Sequence, residues 1–136
     1  MRSNIEEDSI LTELEDRWIL PLRDQAVMST TWRNNAIELA TNEGSVITVG
    51  TAALLSPGHA TKSDPDRRPL ITWDASVVEE VVCARIISSV GFKSGTLRVK
   101  FANGWTLLAR KDDAVATVRF SDGRSWRQTP SGAVLD

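Results

Sequence analysis

Polar and apolar positions alternate without a fault over Thr96-Leu97-Arg98-Val99-Lys100-Phe101. That rhythm predicts a pleated strand with Leu97, Val99 and Phe101 on one face and Thr96, Arg98 and Lys100 on the other. Lys93-Ser94-Gly95 before it and Ala102-Asn103-Gly104 after it read as turns, and Asn-Gly is a strong short hairpin signal. Residues 105–110 predict the returning strand. Lys111-Asp112-Asp113 makes the next turn, residues 114–120 a further strand, and Ser121-Asp122-Gly123 a hairpin into residues 124–128. Four antiparallel strands on short turns are expected here. Phe101-Ala102-Asn103-Gly104 is echoed in Phe120-Ser121-Asp122-Gly123, as two hairpins with the same turn chemistry would be.

Earlier in the chain the same two-residue rhythm recurs. Residues 25–32 and 36–40 flank Arg33-Asn34-Asn35, and Asn42-Glu43-Gly44 leads into the β-rich run at 45–50, so a three-stranded meander is predicted. The opening segment differs. Ile10, Leu14 and Trp18 fall at steps of four beside Leu11, Asn4 can cap, and Glu6, Glu7 and Asp8 suit a helix N-terminus. A short helix is expected there, ended by Pro21. Residues 70–73 read as a short strand, with Asp74 or Ser76 capping a brief helix through Val78, Glu79 and Glu80. Residues 81–92 satisfy either a strand or a helix.

The expected fold is therefore α+β: a mainly antiparallel curled sheet or β-sandwich with an N-terminal helix. Residues 1–16 form an acidic helical leader and residues 17–136 a single β-rich domain, broken by a long loop at 56–69 rich in Pro, Gly, Ser and Asp. At 136 residues the chain is long enough for one core without staples.

Composition removes much chemistry. A net charge of −2 and pI near 5.4 argue against a dedicated nucleic-acid binder. Cys83 is the single cysteine, so no internal disulfide or cysteine-based zinc site exists. No apolar run reaches bilayer length, and MRSNIEEDSI lacks a secretory pattern; a cytoplasmic protein is expected. His59, the only histidine, lies in a loop, and no His-Glu-x-x-His or Gly-x-Ser-x-Gly occurs. No catalytic residue, cofactor or metal site is predicted. The pairs Glu79-Glu80 and Asp112-Asp113 read as solvated or turn residues. Asp64 and Asp66 in the long loop fall short of a calcium site, which takes six to eight oxygens, and are kept as a candidate partner contact.

Charge is uneven, with 7 basic and 11 acidic residues through position 68 against 9 and 7 afterwards. Arg98 and Lys100 share the outward face of one strand, and Arg110, Arg119, Arg124 and Arg127 lie on adjacent predicted strands. If register permits, they form a basic docking surface beside Trp126, whose strand is otherwise polar. Trp126 is accordingly expected to be partly exposed, as interface tryptophans are.

The order Trp18-x-Leu20-Pro21-Leu22, a β meander, a Pro/Asp-containing linker and the hairpin from Gly95 to Gly104 resembles small uncharacterised β-rich domains of actinobacterial type. Trp126 and Ser131-Gly132-Ala133 match the later part of that pattern. The resemblance spans residues 17–134, and the long loop and acidic leader depart from it. It implies an immunity protein that neutralises a cognate toxin. Together with the poverty of catalytic groups, this gives the expected function: not an enzyme, but a binding protein that masks a protein partner sterically. The alternatives are a small enzyme or ligand-binding domain with a cavity inside the sheet, and an RNA-binding module, which would need more stacking aromatics than Trp126 and Trp105.

Overall fold

A computed structural model describes residues 10–58 and 67–136. Its strands are β1 (Thr12–Glu13), β2 (Arg17–Ile19), β3 (Val27–Trp32), β4 (Ala36–Thr41), β5 (Val46–Gly50), β6 (Leu54–Pro57), β7 (Arg68–Pro69), β8 (Ile86–Phe92), β9 (Leu97–Phe101), β10 (Trp105–Ala109), β11 (Ala116–Arg119), β12 (Ser125–Thr129) and β13 (Gly132–Leu135). One helix, α1 (Ala75–Val82), follows a 3-10 turn at Leu70–Thr72. The strands form two antiparallel sheets, ordered β1-β2-β8-β9-β10-β6-β7 and β13-β12-β11-β5-β4-β3. The fold is nearly all β.

This corrects the α+β expectation and its N-terminal helix. The described part of that segment is a hairpin: Leu14 N–H donates to the Arg17 carbonyl at 2.7 Å, and β2 pairs antiparallel with β8. Trp18 is buried opposite Gly91, whereas Ile10 and Leu14 stay exposed. A lone two-turn helix is marginal in water, and pairing with β8 satisfies the same backbone groups. Residues 1–9 of the expected leader lie outside the described residues.

Alternating inward side chains build one core shared by both sheets. Leu97, Val99, Phe101, Leu107 and Leu55 come from the seven-stranded sheet, and Ile37, Leu39, Ile47, Val49, Val118 and Trp126 from the six-stranded one. The sheets approach closely where Trp126 lies over Gly91; a methyl added there would sit 2.5 Å from the indole Nε1. Trp126 is therefore an anchor between the sheets, with its side chain fully buried, and not the exposed contact that its polar neighbours suggested. Gln128 ties the same end together. Its Nε2 donates to the Gly95 carbonyl at 2.7 Å and the Ala114 carbonyl at 3.2 Å, while its Oε1 accepts from the Ala116 N–H at 3.0 Å.

Residues 81–92 divide between the two expected states: α1 ends at Val82 and β8 begins at Ile86. Leu70 to Thr72 coil into the 3-10 turn where a strand was expected. The chain leaving α1 flanks the edge strand β3, since Val27 N–H donates to the Ala84 carbonyl at 3.0 Å and Trp32 Nε1 donates to Glu79 at 3.0 Å. Covering an edge in this way discourages pairing with foreign strands. The echoed hairpins are alike in geometry: Gly104 and Gly123 take φ of 91° and 92°, which glycine adopts without a steric cost. They belong to different sheets, however, because β10 pairs with β9 and β6 while β11 pairs with β5 and β12. The chain changes sheet between them.

Candidate functional site

The inward set at Leu97, Val99 and Phe101 leaves Arg98 and Lys100 on the outer face of the seven-stranded sheet. By the same alternation, buried Val118 and Trp126 leave Arg119 and Arg127 on the outer face of the other sheet, with Arg124 in the turn before β12. The core lies between, so the expected basic surface is split: Arg98 and Lys100 open on one side of the molecule, Arg119, Arg124 and Arg127 on the other. Arg124 pairs with Asp122 at 2.9 Å and Arg127 with Asp136 at 2.6 Å. Asp64, Asp66 and His59 lie outside the described residues. Among the described residues, no three His, Cys, Asp or Glu side chains gather where they could hold a metal.

Around Arg98 the register assembles more than the strand pattern revealed. Ile19, Val90, Arg98, Leu108 and Leu54 stand opposite one another across five neighbouring strands. Directly paired residues share a face, so this is a largely apolar row on the outside of the sheet, with Arg98 at its centre. Beside it, Phe92 at the end of β8 is flanked by two guanidiniums, with Cζ of Arg17 4.6 Å and Cζ of Arg98 5.5 Å from the ring centroid. Such stacking holds a planar cation against the negative ring face. Phe92, Ser94, Thr96, Arg98, Leu108 and Arg110 line a hollow of about 290 Å³.

The charges there are unequally matched. Arg17 holds Asp16 through Nε and Nη2, both at 2.9 Å, and Arg110 is paired with Asp113. Arg98 has no carboxylate partner among the described residues, and its buried Nε has no acceptor. Burial and, secondarily, the Arg17 charge press its pKa downward from the ordinary arginine value; an arginine nevertheless stays protonated at neutral pH. Arg110, at the hollow, and Arg17, on the Phe92 ring, are neutralised, and Arg98 is not. Sequence reading missed Arg17, placed in a helix, and Phe92, within the ambiguous run; strand register is what joins them to Arg98.

The class defined by these features is a two-sheet antiparallel β-sandwich carrying a cationic, partly apolar outer face. Within that class, the chain belongs to DUF6188, a family of unknown function whose model matches residues 18–126. No curated protein and no solved structure matches the chain. No helix among the described residues is long and apolar enough to cross a membrane.

Proposed function

We propose that this chain is a non-enzymatic binding protein that docks an acidic protein partner on the outer face of its seven-stranded sheet. The immunity-type role implied by the resemblance to small actinobacterial-type domains, masking a toxin in the cytoplasm, is the form we favour. The observation that carries this reading is Arg98: a guanidinium without a carboxylate among the described residues, set in an apolar row and steadied on Phe92. Val90 is already buried, and docking would cover what remains exposed of Ile19, Leu54 and Leu108, which drives association, while the cation speeds encounter and sets orientation. Arg98 is an arginine of the kind enriched at interface hot spots, central and fringed by apolar side chains.

The test uses the whole chain as bait in the source cell's lysate, with Arg98→Glu and Arg119→Glu as paired controls on opposite faces. A protein retained by wild type and Arg119→Glu but lost by Arg98→Glu, forming a stoichiometric complex when purified, supports the reading. Retention by Arg98→Glu, equal loss by both variants, or capture of RNA alone with steep salt dependence overturns it.

A further inference from the structure

Resting on the reading of this face as a docking surface, we infer that the hollow at Phe92 and Arg98 is a built subsite for one carboxylate, supplied by an Asp or Glu side chain of the partner. Charge accounting selects the ligand. Arg17 and Arg110 are already answered by Asp16 and Asp113, so of the cations that line the hollow only Arg98 has no carboxylate among the described residues. A monoanion satisfies it; a dianion would bring an unmatched charge onto a surface with Phe92 and Leu108 at its border.

Geometry agrees with the charge. A guanidinium presents donors in a planar fork that matches the two oxygens of a carboxylate, and stacking on Phe92 holds the plane in place before the ligand arrives. The Nε is closed to solvent and without an acceptor, so it reports on the guanidinium while the Nη groups are left to meet the ligand. Ser94 and Thr96 add hydroxyls at the hollow's wall, and Leu108 offers an apolar surface to the methylene stem that carries the carboxylate. Lys100, two residues along the same face of β9, does not line the hollow. The volume of about 290 Å³ suits a single side chain.

Nuclear magnetic resonance of the whole chain reads this directly. The buried Arg98 Nε–H exchanges slowly enough to observe, and is titrated with N-acetyl-glutamate amide at constant ionic strength. N-acetyl-glutamine amide is the neutral control and inorganic phosphate at pH 8 the dianion. The expected result is a saturable shift of that N–H and of the backbone amides of residues 92–98 with the glutamate compound, on the order of 10 mM in affinity. It is absent with glutamine and weaker with phosphate. Arg98→Gln abolishes the backbone shifts, Phe92→Leu weakens them several-fold while keeping the sheet's spectrum, and Arg119→Gln changes nothing. An unmoved Arg98 N–H, an equal response to glutamine, or tighter binding of phosphate overturns the inference. Failure of the function is a separate result: the carboxylate titration then succeeds while Arg98→Gln leaves partner capture intact.

Discussion

Gly91→Ala is the sharpest structural perturbation this sandwich offers. Gly91 needs no unusual backbone angle; it needs space, because a Cβ there would stand 2.5 Å from Nε1 and 2.7 Å from both Cδ1 and Cε2 of Trp126. Favourable contacts lie at about 3.5–4.0 Å, so roughly 1 Å of movement is demanded from a rigid indole. Trp126 has nowhere to go, being fully buried and bracketed by Val118 and Leu135 on the neighbouring strands. The sheets must part locally instead, and the contacts around them loosen. Overpacking of this kind costs about 1–3 kcal/mol; three overlapping ring atoms place it at the upper end, about 3 kcal/mol. The gain from replacing a strand glycine offsets at most about 0.5–1 kcal/mol. With roughly 3–5 °C per kcal/mol for a chain of this size, Tm should fall by about 6–15 °C, read by far-UV circular dichroism and urea unfolding. In a Trp126→Leu background the added methyl finds room, so the penalty should shrink by at least about 1.5 kcal/mol in a double-mutant cycle. A Gly91→Ala variant melting within about 2 °C of wild type, or a penalty unchanged by Trp126→Leu, would refute the close approach of the two sheets at this point.

Gln128→Ala strands the Ala116 N–H and two carbonyls at the sheet junction and should cost about 2–3 kcal/mol in urea unfolding. Gln128→Glu should be worse at neutral pH, because a carboxylate oxygen replaces the donor facing two carbonyls, and should recover relative to wild type on acidification as the carboxyl takes up a proton it can donate. For the wild-type chain the sign is opposite. Glu13 is held below the usual carboxylate value chiefly by a hydrogen bond from Lys93, Asp16 by one from Arg17, and Asp122 by the Arg124 backbone N–H. Depressed native values mean that the unfolded chain binds more protons, so their stabilisation is complete above about pH 5 and is lost as pH falls through and below about 4. Thermal melts across pH 2.5–6 check the slope, which should flatten in Glu13→Gln. Asn103→Ala removes a donor to the Val81 carbonyl at 2.8 Å and an acceptor for the Trp105 N–H at 3.1 Å; a loss of about 1–2 kcal/mol is expected, measured by urea unfolding.

Much of the sheet was legible in the residues, and its failures have separate causes. Where alternation was strict, as at residues 96–101, both the strand and its inward face could be read, because a two-residue period has one interpretation when it is unbroken. Ile10, Leu14 and Trp18 misled although Leu11 and Leu14 supply a helical i+3 pair: Ile10 precedes β1, Leu14 sits in the turn and Trp18 is on β2, and it is the pairing of β2 with β8, which local periodicity does not report, that fixes this backbone. Trp126 misled for a different reason. One large apolar residue between Ser125 and Arg127 was taken as exposed because its strand is polar, yet polar neighbours on either side are what a single inward-pointing side chain requires. The period-two rule applied there would have buried it. The 3-10 turn at Leu70–Thr72 is too short for any period to identify.

The site was less legible than the fold because periodicity assigns a side chain to a face without naming its neighbours across the sheet. Arg98 was placed on an outer face from sequence, and so was Arg119; which sheet each strand joined decided that they would never meet. Arg17 and Phe92 lie far apart in sequence and become cross-strand partners only through the β2–β8 register. Composition could not separate the arginines either, since Arg17, Arg110, Arg124 and Arg127 each pair with an acid while Arg98 has none among the described residues. One local signal does carry over. Gly91 interrupts a β-rich run between Val90 and Phe92, and a glycine inside a strand marks a bulge or a close approach. Here it admits Trp126 on the inner face while its neighbours Val90 and Phe92 serve the outer one. The same three residues of β8 thus bring the sheets together and support Arg98, so loosening the junction should disturb the Phe92 platform as well: Gly91→Ala should broaden the Arg98 Nε–H resonance even in the fraction that remains folded.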